Sequence, residues 1–291
     1  MIEAGKGTAD VDRNKPYIPD NALILDRMNE PSEVSVLDSF ALDELLCRQA
    51  GEGGPAVCHL WRHPRALVLG LRDSRLPQAA EAARQFAAEG FEVVVRHSGG
   101  AAVPLDPGVV NLSLILPRPS GASNSGDFHD DFERMYALIA EALSGTGHAV
   151  NKGEIGGAYC PGDYDLSIGG FKFCGIAQRR QTKALIVQAF IVAEGSGAGR
   201  AGLVREFYRL AAGDADPSRF PQVEEASTAS LSELIGIGKG ASAVFAQEVK
   251  RVLRAGQTEA GLAAAAASLR MPSPEDVRTM AETLRSRYAI L

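Results

Sequence analysis

The chain has 291 residues, enough to bury a sizeable core as one large domain or one domain with an appendage. Its 45% hydrophobic and 23% charged residues are those of an ordinary globular protein, and a net charge of −6 without a basic block argues against nucleic acid and anionic membrane as partners. No apolar run reaches the roughly 18–20 residues of a membrane span, and MIEAGKGTADVDRNKPYIP lacks the apolar core of a secretory signal, so a cytoplasmic protein is expected.

In chain order, residues 1–20 form a polar, proline-punctuated leader. NALILDR (21–27) predicts a short strand and ALDELLCRQA (41–50) a helix with Leu42, Leu45 and Leu46 on one face. CHLWRHPRALVLGL (58–71) predicts two strands meeting at His63-Pro64, and LPQAAEAARQFAAEG (76–90) a helix closed by Gly90. FEVVVRHS (91–98) and VVNLSLILP (109–117) are strands flanking the loop GGAAVPLDPG. A strong amphipathic helix follows at 127–143, with Phe128, Phe132, Met135, Ile139 and Leu143 at helical spacing. YDLSIGG, FKFCGIA and KALIVQAFIVAEG predict three strands, the first two joined tightly at Gly169-Gly170. Beyond about residue 198 the chain turns helical, and its last helix starts with Ser273 as N-cap, Pro274, Glu275 and Asp276. The expected organisation is the leader, a mixed α/β body over 21–215, and a helical extension over 216–291 packed on that body.

Two stretches stand out. In VVVRHSGGAAVPLDPG, a glycine pair closes a strand and opens a connection too long for a tight hairpin, apolar at Ala101-Ala102-Val103. Either it is a plain loop or it walls an aliphatic ligand. Arg96 and His97 should face opposite ways. The five histidines show no ligand spacing, and no metal is assigned. Cys47, Cys58, Cys160 and Cys174 make neither a disulfide framework nor a CxxC site, so reduced thiols are expected. In GAYCPGDYDLSIGGFKFCGIAQRR, Cys160 lies in a loop, where a thiol is accessible, whereas Cys174 lies inside a strand and suits packing. Lys172, between two phenylalanines, either snorkels from an edge or is held in a pocket.

RHSGGAAVPLDPGVVNLSL and YDLSIGGFKFCGIAQRR resemble the lipoate–protein ligase, octanoyltransferase and biotin–protein ligase superfamily. That superfamily carries an Arg-x-x-Gly-Gly loop, an Asp, an Asn-x-Ser strand and a Gly-x-Lys-x-x-Gly-x-(Ser/Ala)-Gln segment. Here these are Arg96, Gly99, Gly100, Asp106, Asn111 and Ser113, then Gly170, Lys172, Gly175, Ala177 and Gln178. The order and spacing match over most of residues 21–215. The resemblance implies a mixed, largely antiparallel sheet of the biotin/lipoate–protein ligase type, of α+β class. It implies an acyl chain in a tunnel beneath the glycine loop, bound by Arg96, Ser98, Gly99, Gly100, Ala101, Asp106, Asn111, Gly175 and Ala177, and a lysine reaching the acyl carbonyl. Ala-Tyr-Cys-Pro-Gly is similar to the loop of the octanoyl-[glycine cleavage H protein]:protein N-octanoyltransferases, which places a nucleophile at Cys160 and the family lysine at Lys172. The implied partners are the glycine cleavage H protein as octanoyl donor and the lipoyl domains of 2-oxoacid dehydrogenase E2 subunits as acceptors. Ala101 departs from the third glycine of many ligases and narrows the space for an adenylate phosphate.

The chemistry fits that resemblance. Breaking an acyl-lysine amide is eased by a covalent step, and exchanging one lysine amide for another is nearly isoenergetic, so neither ATP nor another cofactor is needed. Lys172 is the neighbouring cation expected to stabilise either the thiolate or the oxyanion. Three alternatives compete. An octanoyl–acyl carrier protein donor would be told by which donor acylates the enzyme, and an ATP-dependent ligase by pyrophosphate release. A non-catalytic acyl-binding module would leave Cys160 unacylated. The carrier docks either on a basic patch of Arg179, Arg180 and Lys183 or elsewhere, that turn being then merely solvated.

Overall fold

The computed structural model describes residues 18–30, 34–118 and 127–290, and the expected leader lies almost wholly outside them. The chain runs β1 (Leu23–Arg27), α1 (Val36–Gly51), β2 (Val57–Trp61), β3 (Ala66–Leu69), α2 (Ala79–Ala88), β4 (Glu92–Val95), β5 (Val103–Leu105) and β6 (Val109–Pro117). Then come α3 (Asp127–Leu143), β7 (Asn151–Lys152), β8 (Leu166–Ile168), β9 (Phe171–Arg180) and β10 (Ala184–Val192). Five helices end it: α4 (Gly197–Ala211), α5 (Leu231–Ile235), α6 (Ala241–Ala255), α7 (Glu259–Ser268) and α8 (Pro274–Arg287). Ser35 caps α1, accepting from the Leu37 N–H, and α8 carries a Ser273–Asp276 capping box with Pro274 in its first turn.

Seven strands form the main sheet in the order β1-β2-β6-β10-β9-β8-β7, antiparallel except for β1 beside β2. A smaller sheet, β4-β3-β5, pairs β3 parallel to β4 and antiparallel to β5. The third strand of that sheet falls inside what the sequence suggests is one ten-residue loop. The apolar Val103-Pro104-Leu105 run pairs with β3, which leaves the glycine loop itself short.

Strand β6 is central and buried on both faces, hence its near-continuous apolar run. Its two polar residues, Asn111 and Ser113, are two apart and so share a face. Register carries that face across the sheet: Trp61, Asn111, Phe190 and Gly175 form one row, and His59, Ser113, Gln188 and Ala177 the next. On the opposite face Leu112, Leu114, Leu60 and Cys174 pack beneath α3 and α6 through Met135, Ile139, Phe245 and Val249. Helix α1 and the small sheet cover the polar-bearing face and leave a gap between themselves and the two rows. The chain beyond residue 216 also supports this region. The Glu224 N–H bonds the Gly157 carbonyl at 2.8 Å, and the Ala229 N–H bonds that of Lys172 at 3.0 Å. Among the described residues no helix is long and apolar enough to cross a membrane.

Candidate active site

The gap is a cavity of about 350 Å³, walled by Phe40, Trp61, Val68, Val103, Leu105 and Phe190 and closed at its mouth by the glycine loop and the 160–164 turn. Its size and apolar walls suit a small aliphatic ligand. Three lining residues present a buried N–H with no partner: Trp61 Nε1, Arg96 Nε and Asn111 Nδ2. Such orphans are costly in an empty pocket and suit a ligand bearing acceptors.

Cys160 sits at the mouth. The expectation that a loop thiol is open to solvent does not hold, because Cys160 is only 8% exposed. It is also the one non-glycine residue with positive φ among the described residues, at 48°, a conformation that costs about 1–2 kcal/mol. Two donors face its sulfur. Arg96 Nη2 and the Ala101 backbone N–H each lie 3.3 Å from Sγ. Arg96 Nη2 is itself fixed by donating to the Ala101 carbonyl at 2.7 Å. Gly100, at φ 101°, lets the loop wrap this group: a side chain there would start 2.3 Å from Arg96 Nη2 and 2.9 Å from Cys160 Sγ.

Lys172 does not occupy the place expected of it. Its ammonium is fully buried and donates to the carbonyls of Tyr159 (2.8 Å) and Cys160 (2.6 Å) and to Asp165 Oδ2 (2.7 Å). Those three bonds use all its donors, leaving none for Sγ or an acyl carbonyl. Lys172 is also absent from the cavity wall. The cation at the sulfur is Arg96, and Lys172 clamps the turn that presents it. Charge-assisted bonds of about 1.5–3 kcal/mol each outweigh the cost of the left-handed residue. Burial pushes the Asp165 carboxyl above its ordinary range while Lys172 pulls it back. Asp165 also accepts from the Gly162 N–H at 3.2 Å, closing the Pro-Gly turn. Tyr159 stacks on Phe190 with centroids 5.7 Å apart, and the Lys172 ammonium lies within 6 Å of both rings.

Among the described residues no such donor faces the other cysteines. Burial pushes the Cys47 thiol up to about 12 and raises Cys58 and Cys174 well above the ordinary thiol range.

Of the residues predicted for the site, Arg96, Ser98, Gly99, Gly100, Asn111, Cys160, Gly175 and Ala177 all line the cavity. Ala101 contributes its backbone from the outer side of the loop. Asp106 lies elsewhere, where its carboxylate pairs with Arg200 at 2.6 Å and caps the Gly108 N–H at 2.7 Å. As expected, Arg96 and His97 diverge, and His97 Nε2 lies 3.2 Å from Glu44 on α1. Asp165 is the main residue sequence reasoning passed over; an acid seven residues before a lysine flanked by phenylalanines was its signal. Behind the cavity, Asp43 gathers His59, Ser113 and Gln188 at 2.8, 2.6 and 2.9 Å. Among the described residues no cluster of three or more metal-binding side chains occurs.

The chain has relatives among known proteins. Residues 35–256 match the family model described as the lipoyl protein ligase A/B catalytic domain. An octanoyl-[GcvH]:protein N-octanoyltransferase of Geobacillus kaustophilus is 48% identical over 200 residues, covering 68% of this chain and 70% of that protein. Its namesake from Exiguobacterium sibiricum is 41% identical over 213 residues, covering 73% and 76%. Among solved structures, lipoate-protein ligase A bound with ATP superposes with a TM-score of 0.60 at 19% identity, over 92% of this chain and 96% of the other. A chain from the bi-partite lipoate protein ligase structure of Thermoplasma acidophilum gives 0.56 at 18% identity, over 93% and 94%. The structural likeness bears on the fold, which is the mixed, antiparallel-rich type expected, and the sequence likeness bears on the family. This chain belongs to the lipoyl protein ligase A/B catalytic domain family, among the octanoyl-[GcvH]:protein N-octanoyltransferases.

Proposed function

We propose that this protein moves an octanoyl group from a lysine amide of the glycine cleavage H protein to lysines of 2-oxoacid dehydrogenase E2 lipoyl domains, through a thioester on Cys160. The observation that carries this reading is the Cys160 sulfur at the mouth of an apolar cavity, faced at 3.3 Å by Arg96 and by the Ala101 N–H. Both are hydrogen-bond donors aimed at the atom that would attack the carbonyl.

The steps follow from that arrangement. The thiolate adds to the amide carbonyl carbon, the C–N bond breaks, and the donor lysine leaves as an amine after gaining a proton. The acceptor lysine amine then attacks the thioester, losing a proton, and the thiolate is restored. The octanoyl chain lies in the cavity between Trp61, Val68, Val103 and Leu105. Asn111 Nδ2, buried without a partner, is the wall donor best suited to the acyl carbonyl. Reactant and product are both lysine amides, so no ATP enters.

The test is intact-protein mass spectrometry after mixing with octanoylated H protein in the absence of ATP. One octanoyl adduct is expected, mapping to the Cys160 peptide and released by hydroxylamine. Cys160→Ala should lose the adduct and lower transfer by at least about 1,000-fold. An adduct formed only from octanoyl–acyl carrier protein overturns the donor. Activity that needs ATP and forms no adduct overturns the mechanism.

A further inference from the structure

The glycine loop has two sides. Its inner side closes the acyl cavity. Its outer side floors a larger groove of about 820 Å³, which shares Arg96, Ser98, Gly99, Gly100 and Pro161 with that cavity. Four arginines line the groove, Arg72, Arg75, Arg96 and Arg219, in a chain whose net charge is −6. Arg72, Arg75 and Arg219 are exposed and, among the described residues, make no ion pair within 4 Å. The acid in the lining, Asp73, is 3% exposed, and its two oxygens accept from the Gly70 N–H and the Tyr208 hydroxyl. The exposed charged side chains that line the groove are therefore all arginines. Between the arginines it offers apolar contact at Leu71, Phe220 and Tyr288, of which Leu71 is 39% exposed.

We propose that this groove is the docking surface for the carrier, an acidic protein domain that presents its acyl-lysine across the glycine loop to Cys160. The proposal rests on the transfer reading above. Unpaired arginines around an apolar centre are the composition of a protein-binding patch rather than of a small-ligand pocket. The shared loop wall makes docking and reaction continuous, since a lysine arm held in the groove meets the cavity mouth beside Pro161. The other basic turn, at Arg179 and Arg180, is spent internally. Arg179 bonds Glu44 at 2.8 Å and Arg180 bonds Asp131 at 2.6 Å.

The experiment measures the dissociation constant of octanoylated H protein for the full chain by biolayer interferometry. The groove variant is Arg72→Glu/Arg219→Glu. The control, Lys239→Glu/Arg254→Glu, makes the same charge change at exposed residues outside the groove and outside the Arg179–Lys183 turn. Binding to the groove variant should weaken about tenfold and lose most of its salt dependence, while the control stays within about twofold of the unmodified protein. Equal binding by both variants, or no binding by the unmodified protein, overturns the proposal. Loss of binding to a fluorescent ATP analogue, with H-protein affinity unchanged, also overturns it and makes the groove a nucleotide site. In parallel, a small donor that needs no docking, S-octanoyl-N-acetylcysteamine, should acylate Cys160 equally in all three proteins. Failure of that adduct sinks the thioester reading, while the affinities still decide the docking surface.

Discussion

Cys160 and Cys174 lie on one short stretch of chain and are both buried, 8% and 0% exposed, yet the structure gives them opposite surroundings. Cys174 sits on β9 between Ile191 and Leu166 of the neighbouring strands, inside an apolar core that raises its thiol well above the ordinary range. Cys160 sits in a left-handed turn with a guanidinium and a backbone N–H aimed at its sulfur. Exposure does not separate the two. What separates them is the donors at the sulfur and the strain of the backbone that delivers it to them.

The largest effect on that comparison should come from Arg96. Arg96→Met keeps much of the apolar stem but takes away the charge at Sγ and the bond to the Ala101 carbonyl, so Cys160 comes to resemble Cys174. Acylation by octanoylated H protein, timed by mass spectrometry, should slow about 100-fold. Arg96→Lys restores a point charge without the fork and should fall between. Acylation by Arg96→Met at the unmodified rate would mean that the donors at sulfur do not distinguish the two cysteines.

Lys172 tests the strain. Lys172→Met removes the clamp on the Tyr159 and Cys160 carbonyls and leaves the Asp165 carboxyl buried beside no cation. The cost should be about 3–5 kcal/mol of unfolding free energy, read by urea titration. Adding Asp165→Leu removes the stranded acid and should recover most of that stability. Activity should stay low in the folded double variant, because the turn is no longer held open to the left-handed region. If activity returns with stability, Lys172 serves folding alone.

Much of this arrangement is legible in the sequence. The strands β6, β9 and β10 announce themselves by apolar patterning, and the motif glycines locate the loop. What sequence does not give is the partner of each side chain. Lys172 and Cys174 alternate onto the same face of a strand, which says nothing of the three acceptors that meet the ammonium. Arg96 is visible as a motif residue, but its bond to a sulfur 64 positions along depends on how two loops close over one sheet. Asp106 belongs to the same motif by spacing and is drawn away by Arg200, a helix residue with no local signal. Likewise Val103-Pro104-Leu105 looks like loop because its strand partner, β3, precedes it by an entire helix and strand.

A smaller effect concerns what anchors the glycine loop. Burial works against the Glu44 carboxylate, but hydrogen bonds from His97 and Arg179 outweigh it and hold the group below its ordinary value of 4.5. A depressed carboxylate contributes stability that is present above 4.5 and is lost as pH falls towards the folded value. Glu44→Gln should therefore cost about 2 kcal/mol at about pH 7, and the gap from the unmodified protein should narrow progressively as pH falls below 4.5. Urea titrations across that range check the sign. A gap that widens on acidification would show that Glu44 does not hold the loop through its charge.

The smallest effect should fall on Cys174 itself. Cys174→Ala removes one sulfur from a site with no solvent exposure, packed with Leu166, Phe173 and Ile191. The small void should cost about 1–2 kcal/mol, read as a lower urea midpoint with an unchanged slope. Cys174→Ser should cost more, since its hydroxyl enters an apolar site without a partner. In both variants the octanoyl adduct on Cys160 should form at the unmodified rate per folded molecule. The strand that carries Cys174 also carries Lys172, so a rate that falls with stability intact would mean that packing in this core sets the geometry of the Cys160 turn. The two thiols would then be one mechanical unit, and the contrast between them would lie in their contacts and not in their roles.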